Sequence, residues 1–223
     1  MGKALVIGTK ASAEIEVVAE ALVEMGFDVL AVPREDLVLV DSLRQFDLTV
    51  HLGSDQSLVG VAIHKQVRSE FELIESRVQS GFPVFGICYG AQLLARVLGG
   101  ENYRCSQAEI GWVDILPERG YEAFGGRWFA WHYDGFTVPK HVKVVAENAT
   151  GIQAIQGVRF AGVQFHPEVS TRVLCDWLET GGSRELEAQG IAAESLWPGP
   201  GISDEEIQQR LGQFFLHVLD GIL

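Results

Sequence analysis

The chain has 223 residues, 47% of them hydrophobic, and 30 Asp and Glu against 17 Lys and Arg give a net charge of −13. That length buries a substantial core, and the acidic balance argues against a nucleic-acid partner, because phosphate binding needs concentrated Lys and Arg. No apolar run approaches the length of a membrane helix, so no membrane partner is expected; the three cysteines, at 88, 105 and 175, are widely spaced and suit a reducing cytoplasm better than a disulfide framework.

Met1-Gly2-Lys3 leads straight into an apolar segment, so no cleavable leader is expected. Gly2 does not read as a myristoylation site, since Val6 stands at the usual Ser/Thr position. Residues 4–8 read as a short buried strand. Ser12 stands where it can cap a helix whose residues Ile15, Val18, Leu22 and Met25 share one face, and Gly26 ends it. Residues 27–32 and 48–52 read as the next strands. Residues 60–80 carry Val61, Val67, Phe71, Ile74 and Val78 at helical spacing, 84–87 is a fourth strand, and a helix follows over about 90–98. Strands alternating with helices predict a mostly parallel central sheet covered on both faces.

From about residue 101 the pattern changes. Residues 112–116, 127–131, 142–147, 152–155 and 159–165 read as strands with short connections, Gln156-Gly157 turning the last pair. They predict a small antiparallel layer in the second half of an α/β fold. Residues 174–179 read as helix. Gly181-Gly182 and Pro198-Gly199-Pro200-Gly201 mark 180–202 as a connector. Ser203 with Glu206 forms a capping box for a last helix through Leu219. The expected organisation is one domain over 1–180, with a connector and helix over 181–223 packed on it.

Chemistry concentrates in two places. Residues 84–92 read Val-Phe-Gly-Ile-Cys-Tyr-Gly-Ala-Gln, an apolar strand running into a Gly-x-Cys-x-Gly turn. Gly86 and Gly90 let the chain turn without Cβ clashes, and Cys88 then sits on a strand-to-helix elbow, the place a serine takes in hydrolases. A helix N-terminus favours the thiolate of a thiol that otherwise titrates near about 8.5. Far downstream, residues 162–168 read Gly-Val-Gln-Phe-His-Pro-Glu. Pro167 ends the strand, and His166 with Glu168 supplies a base and the group that fixes its tautomer. Cys105 and Cys175 read as structural. No Cys-x-x-Cys, His-Glu-x-x-His or tight His/Asp cluster suggests a metal.

These segments resemble the class I glutamine amidotransferases, most closely the glutaminase half of GMP synthase and its free-standing relatives. The likeness rests on 86–92, on Trp131-His132-Tyr133-Asp134 with Pro139 after it, and on 162–168. It implies a flavodoxin-like core and a catalytic set of Cys88, His166 and Glu168. It implies an oxyanion hole from backbone N–H groups near Gly53 and Ser54 and at Tyr89. It also implies that Gln92, with backbone of Tyr133 and Asp134, binds the amino-acid end of glutamine. The role of His132 stays open. Where the family's loop typically reads Gly-Gly-Pro-x-Ser, this chain has Gly53-Ser54-Asp55-Gln56-Ser57, and an inward Asp55 carboxylate would oppose a developing oxyanion.

The resemblance implies hydrolysis of the glutamine side-chain amide without a cofactor, giving glutamate and ammonia for a separate synthase. Two other outcomes stand beside it. One is a γ-glutamyl peptide hydrolase with the same three residues and a more open pocket. The other is a binding or regulatory subunit silenced by the Ser54-Asp55 loop.

Overall fold

The computed structural model describes residues 1–10, 12–37, 45–60, 65–197 and 203–223. One nine-stranded sheet runs in the order β2-β1-β3-β4-β9-β8-β7-β5-β6. Its first half consists of β1 (Lys3–Gly8), β2 (Asp28–Pro33), β3 (Leu48–His51) and β4 (Val84–Ile87), all parallel and joined by parallel pairing to β9 (Phe160–Val163). The other half is antiparallel: β8 (Gly151–Gln156), β7 (Lys143–Asn148), β5 (Asn102–Pro117) and β6 (Gly126–Phe136). The antiparallel strands continue the parallel sheet from β9 outward.

Burial explains the continuous apolar strands. Ala4, Leu5, Val6 and Ile7 are all fully buried, and successive side chains enter cores on opposite faces. One face is covered by α1 (Ala13–Glu24), α4 (Thr171–Trp177) and α6 (Asp204–Asp220). The other is covered by α2 (Lys65–Gln79) and α3 (Tyr89–Val97). On α6, Leu211, Phe214, Phe215, Val218 and Leu219 enter the larger core, where Phe214 packs edge-on against Trp128, Phe124 and Phe165. The capping box of Ser203 and Glu206 is present, with Ser203 N–H donating to Glu206 and Glu206 N–H to Ser203 Oγ at 3.2 Å. No helix among the described residues is long and apolar enough to cross a membrane.

Three expectations need correction. Ser12 occupies the N-cap of α1, but its hydroxyl makes no cap hydrogen bond. β5 begins at Asn102, ten residues before the expected strand, and β6 runs on through Trp131-His132-Tyr133-Asp134 to Phe136. The segment expected to be a connector holds a wide turn at Leu178–Gly182, the helix α5 (Ser183–Gln189) and a short helical turn at Ala193–Leu196. Cys175 is exposed on α4 and Cys105 is half-buried. Val61 of the expected 60–80 helix and Pro198-Gly199-Pro200-Gly201 of the expected connector lie outside the described residues.

Candidate active site

Parallel strands bring their carboxyl ends to one edge of a sheet, where ligands of α/β proteins bind. Here the residues just past β1, β3, β4 and β9 meet there. Thr9, Gly53, Cys88 and His166 line one cleft of about 720 Å³.

Cys88 is the N-cap of α3, with φ 51° and ψ −108°. Among the described residues it is the only non-glycine with positive φ, a strained conformation that the surroundings must enforce. Two features enforce it. Cys88 N–H donates to Val163 O at 2.7 Å, tying the elbow to β9. Gly86 and Gly90 remove the Cβ atoms that would block the turn: at Gly90 a Cβ would lie 2.0 Å from the His51 carbonyl oxygen, and at Gly86 one would lie 2.6 Å from the Gly90 oxygen. Tyr89, Gly90 and Ala91 N–H, in the first turn of α3, have no partner within the helix.

His166 follows β9 and is held from the opposite strand, its N–H donating to Phe129 O at 2.7 Å. Its Nδ1 lies 2.8 Å from Glu168 Oε1, both residues being buried. Burial pushes the imidazole toward neutrality. The Glu168 carboxylate and the Cys88 sulfur overcome it and raise the pKa well above the ordinary histidine value. Trp177 packs edge-on to the ring with centroids 4.8 Å apart. Gly53 closes the third side: a Cβ there would come 3.1 Å from His166 Cε1 and 3.9 Å from Cys88 Cβ.

The loop after Gly53 is self-braced. Ser54 Oγ accepts from Gln56 N–H at 3.2 Å and donates to Asp55 Oδ1 at 3.4 Å. Asp55 is exposed, so its charge stands in water. Ser57 Oγ donates to Asp134 Oδ2 at 2.5 Å, and Arg104 Nε pairs with Asp134 Oδ1 at 3.1 Å. Tyr133 lines the cleft beneath the Arg104 guanidinium.

Gln92 is buried, not an exposed helix residue. Its Nε2 donates to Asp134 O at 3.0 Å and to Gln164 Oε1 at 3.2 Å, so both amide hydrogens are committed inside the protein. Gln164 Nε2 in turn donates to Cys88 Sγ at 3.5 Å. His132 stands behind this chain, its Nδ1 3.1 Å from Asp134 O and its Nε2 2.9 Å from Glu109 Oε2. Each ring nitrogen thus has an oxygen within hydrogen-bond reach. Burial pushes the Glu109 carboxyl up, but hydrogen bonds from His132, Thr150 and Asn148 hold it below the usual range. His132 thus supports the cleft through the Asp134 carbonyl.

The profile of the family described as glutamine amidotransferase class-I matches residues 15–178. The chain belongs to the class-I glutamine amidotransferase family. It is 36% identical over 148 residues to a glutamine-hydrolyzing GMP synthase of Thermus thermophilus, covering 60% of this chain and 28% of that protein. With the GMP synthase of Aeropyrum pernix it shares 39% over 151 residues, covering 60% and 28%. The chain therefore spans little more than a quarter of the length of these relatives. Two solved structures share the fold over nearly the whole chain. A glutamine amidotransferase of Thermotoga maritima has a TM-score of 0.86 at 24% identity, covering 98% of each chain. One of Methylobacillus flagellatus has 0.82 at 19%, covering 100% of this chain and 95% of the other.

On this family fold the structure brings together every residue singled out in the sequence: Cys88, His166, Gly53, Ser54, Gln92, Tyr133 and Asp134 line the cleft, Glu168 lies behind His166, and Tyr89 begins α3. Sequence reasoning missed Gln164, although it lies inside the quoted 162–168 segment. It also missed Glu14, which accepts from Trp177 Nε1 at 2.8 Å and is raised in pKa by burial and then by the Glu168 charge. The wall formed by Thr180, Gly181, Gly182 and Glu185 was hidden in the presumed connector. Among the described residues, no group of three or more His, Cys, Asp and Glu is placed to hold a metal ion.

Proposed function

We propose that the chain is a cysteine glutaminase. The Cys88 thiolate attacks the side-chain amide carbon of glutamine, and the negative oxygen that forms is held by N–H groups at Gly53 or Ser54 and at Tyr89. His166 donates a proton to the nitrogen as the C–N bond breaks, ammonia leaves, and a glutamyl thioester remains on Cys88. Water attacks that thioester with His166 as base, releasing glutamate and restoring the thiol. Glu168 keeps the His166 ring turned so that Nε2 faces the reacting atoms. Arg104 and Asp134 bracket the α-carboxylate and α-ammonium groups, with Tyr133 and the Gln92 side-chain oxygen beside them. Ammonia passes to a separate synthase, in keeping with the GMP synthase relatives, and the three free thiols suit a cytoplasmic setting.

One observation carries this reading: a cysteine forced to φ 51° at a helix N-terminus shares a buried site with a His–Glu pair 2.8 Å apart. Purified chain incubated with glutamine releases ammonia, and Cys88→Ala does not. Equal release by the two proteins refutes the reading.

The cleft volume supports a second reading. A cavity of about 720 Å³ lies within the range that holds drug-sized ligands, more than glutamine needs. A γ-glutamyl peptide hydrolase uses the same steps with an amine or peptide as leaving group. Release of that amine from a γ-glutamyl peptide, faster than ammonia from glutamine, selects it.

A further inference from the structure

The carbonyl oxygens that precede the Ser54-Asp55 loop are held by a buried guanidinium. Arg34 lies just past the end of β2, at the sheet edge, and reaches across the end of β1 to the end of β3. Its Nη2 donates to Leu52 O at 3.0 Å and its Nη1 to Gly53 O at 2.8 Å. Nη1 also donates to Thr9 Oγ1 at 3.1 Å, and Nε donates to Glu70 Oε2 at 3.0 Å. Glu70 is buried and its other oxygen meets His51 Nδ1 at 3.0 Å. The guanidinium also lies over the Tyr89 ring, 4.7 Å from its centroid.

Trans peptide units place each C=O opposite the following N–H, and the described chain has no cis peptide. Fixing the Leu52 carbonyl on Arg34 therefore points the Gly53 N–H away from Arg34. Fixing the Gly53 carbonyl does the same for the Ser54 N–H. His166 and Cys88 stand beside the same residue: a Cβ on Gly53 would lie 3.1 Å from His166 Cε1 and 3.9 Å from Cys88 Cβ. The same guanidinium rests on Tyr89, whose N–H stands at the start of α3.

We propose that Arg34 is the positioning residue of the oxyanion hole, one side chain that aims the donors of the Gly53-Ser54 loop and seats the Tyr89 donor opposite them. The role needs arginine. Two carbonyls, a hydroxyl and a carboxylate are met at once by a planar fork of five N–H donors, which a lysine ammonium cannot reproduce. It also accounts for a loop that has Ser54 and Asp55 in place of the stiffer Gly-Pro, since the rigidity comes from beneath the loop. The proposal rests on the cysteine-hydrolase reading.

The test separates oxyanion chemistry from thiol chemistry in the full chain. Acetylation of Cys88 by p-nitrophenyl acetate passes through a tetrahedral oxyanion, with p-nitrophenolate leaving. Alkylation by iodoacetamide is a direct displacement of iodide with no oxyanion. In Arg34→Lys, which keeps a cation opposite Glu70, the ratio of acetylation to alkylation rate falls about 10²-fold. Alkylation itself stays within about threefold, and glutamine kcat falls while KM is little changed. The double variant Arg34→Met/Glu70→Leu removes the buried charge pair together and shows the same drop in ratio, which guards against a folding defect from one unpaired ion. A merely structural role lowers the unfolding midpoint and leaves the ratio at the wild-type value, and that result overturns the proposal. So does a wild-type Cys88 whose ratio is no higher than that of glutathione. A wild type with a high, Arg34-dependent ratio but no glutamine turnover sinks the glutaminase reading and leaves the Arg34 assignment standing.

Discussion

Gly90→Ala is the sharpest test of how the elbow is built, because one methyl group meets only backbone and a buried neighbour. The new Cβ would lie 2.0 Å from the carbonyl oxygen of His51, 2.6 Å from its carbonyl carbon and 2.9 Å from its Cβ. His51 is fully buried, and its strand is pinned between β1 and β4 through the Ile7–His51 and His51–Gly86 pairs. β3 has nowhere to move. Restoring an ordinary C···O approach of about 3.3 Å requires α3 to retreat by more than about 1 Å. Overpacking of this kind costs about 3 kcal/mol. The retreat carries Cys88 and Tyr89 away from Gly53, and a displacement of about 1 Å costs about 10²-fold in rate. Gly212→Ala is the internal control. It sits within α6 with no atom inside 4 Å of the added methyl, and it raises stability by about 0.5–1 kcal/mol. Urea unfolding gives the stabilities, and Cys88-dependent ammonia release gives the rates. A Gly90→Ala protein with wild-type midpoint and wild-type rate would show that the close approach of α3 to β3 does not hold the elbow.

Three further outcomes follow from the charges. Glu168→Gln removes the largest influence holding the His166 pKa up against burial, so Cys88 alkylation at about pH 6–7 slows and glutamine turnover falls by about 10²-fold or more; an unchanged pH profile of alkylation would contradict the pairing. Because the folded His166 pKa is raised, its contribution to stability is full below its unfolded value and is lost as pH rises through the higher folded one, a slope that Glu168→Gln flattens in pH-dependent unfolding. Asp55→Asn changes kcat by less than about threefold, since the exposed carboxylate is screened by water and salt, and a tenfold gain would mean that Asp55 faces the oxyanion. Glu70 has the opposite sign to His166: burial opposes its charge, but Arg34 and His51 lower its pKa to about 2. Its stabilisation is therefore present above the ordinary carboxylate range and lost as pH falls toward about 2, and acid unfolding of Glu70→Gln lacks that component.

What was legible in the sequence was local or repeated in a short motif. The Cys88 elbow is written in nine consecutive residues, and Pro167 marks where the strand carrying His166 ends. Arg34 was not legible, because its partners Leu52, Gly53 and Glu70 lie 18, 19 and 36 positions away and only the parallel crossovers bring them together. The start of β5 was missed for a different reason. Arg104, Ser106, Gln107 and Glu109 are polar, and the pairing with β6 slips between Arg104 and Glu109, so no steady two-residue alternation marks a strand there. Gly181 and Gly182 read as breakers of structure. Gly181 in fact takes φ 139° within the wide turn after α4, and a Cβ on Gly182 would come 2.8 Å from Trp131. Those glycines let the turn close against the cleft, which composition alone does not distinguish from a linker.

The site is assembled mainly by backbone, and this decides which substitutions its loops tolerate. Cys88 is tied to β9 through Val163 O, and His166 to β6 through Phe129 O. The loop after β3 is tied through the carbonyls of Leu52 and Gly53. Cys88 follows a strand of the parallel half of the sheet and His166 the strand at its boundary with the antiparallel half, so the pairing of β4 with β9, Gly86 with Gly162 and Ile87 with Val163, sets their separation. Under the oxyanion hole proposed above, Ser54 and Asp55 are tolerated because its donors would be N–H groups whose direction is set one residue earlier by the carbonyl contacts to Arg34. Glycines 86 and 90 have no such freedom, because the space a side chain would need is already filled by the Gly90 carbonyl and by the neighbouring strand.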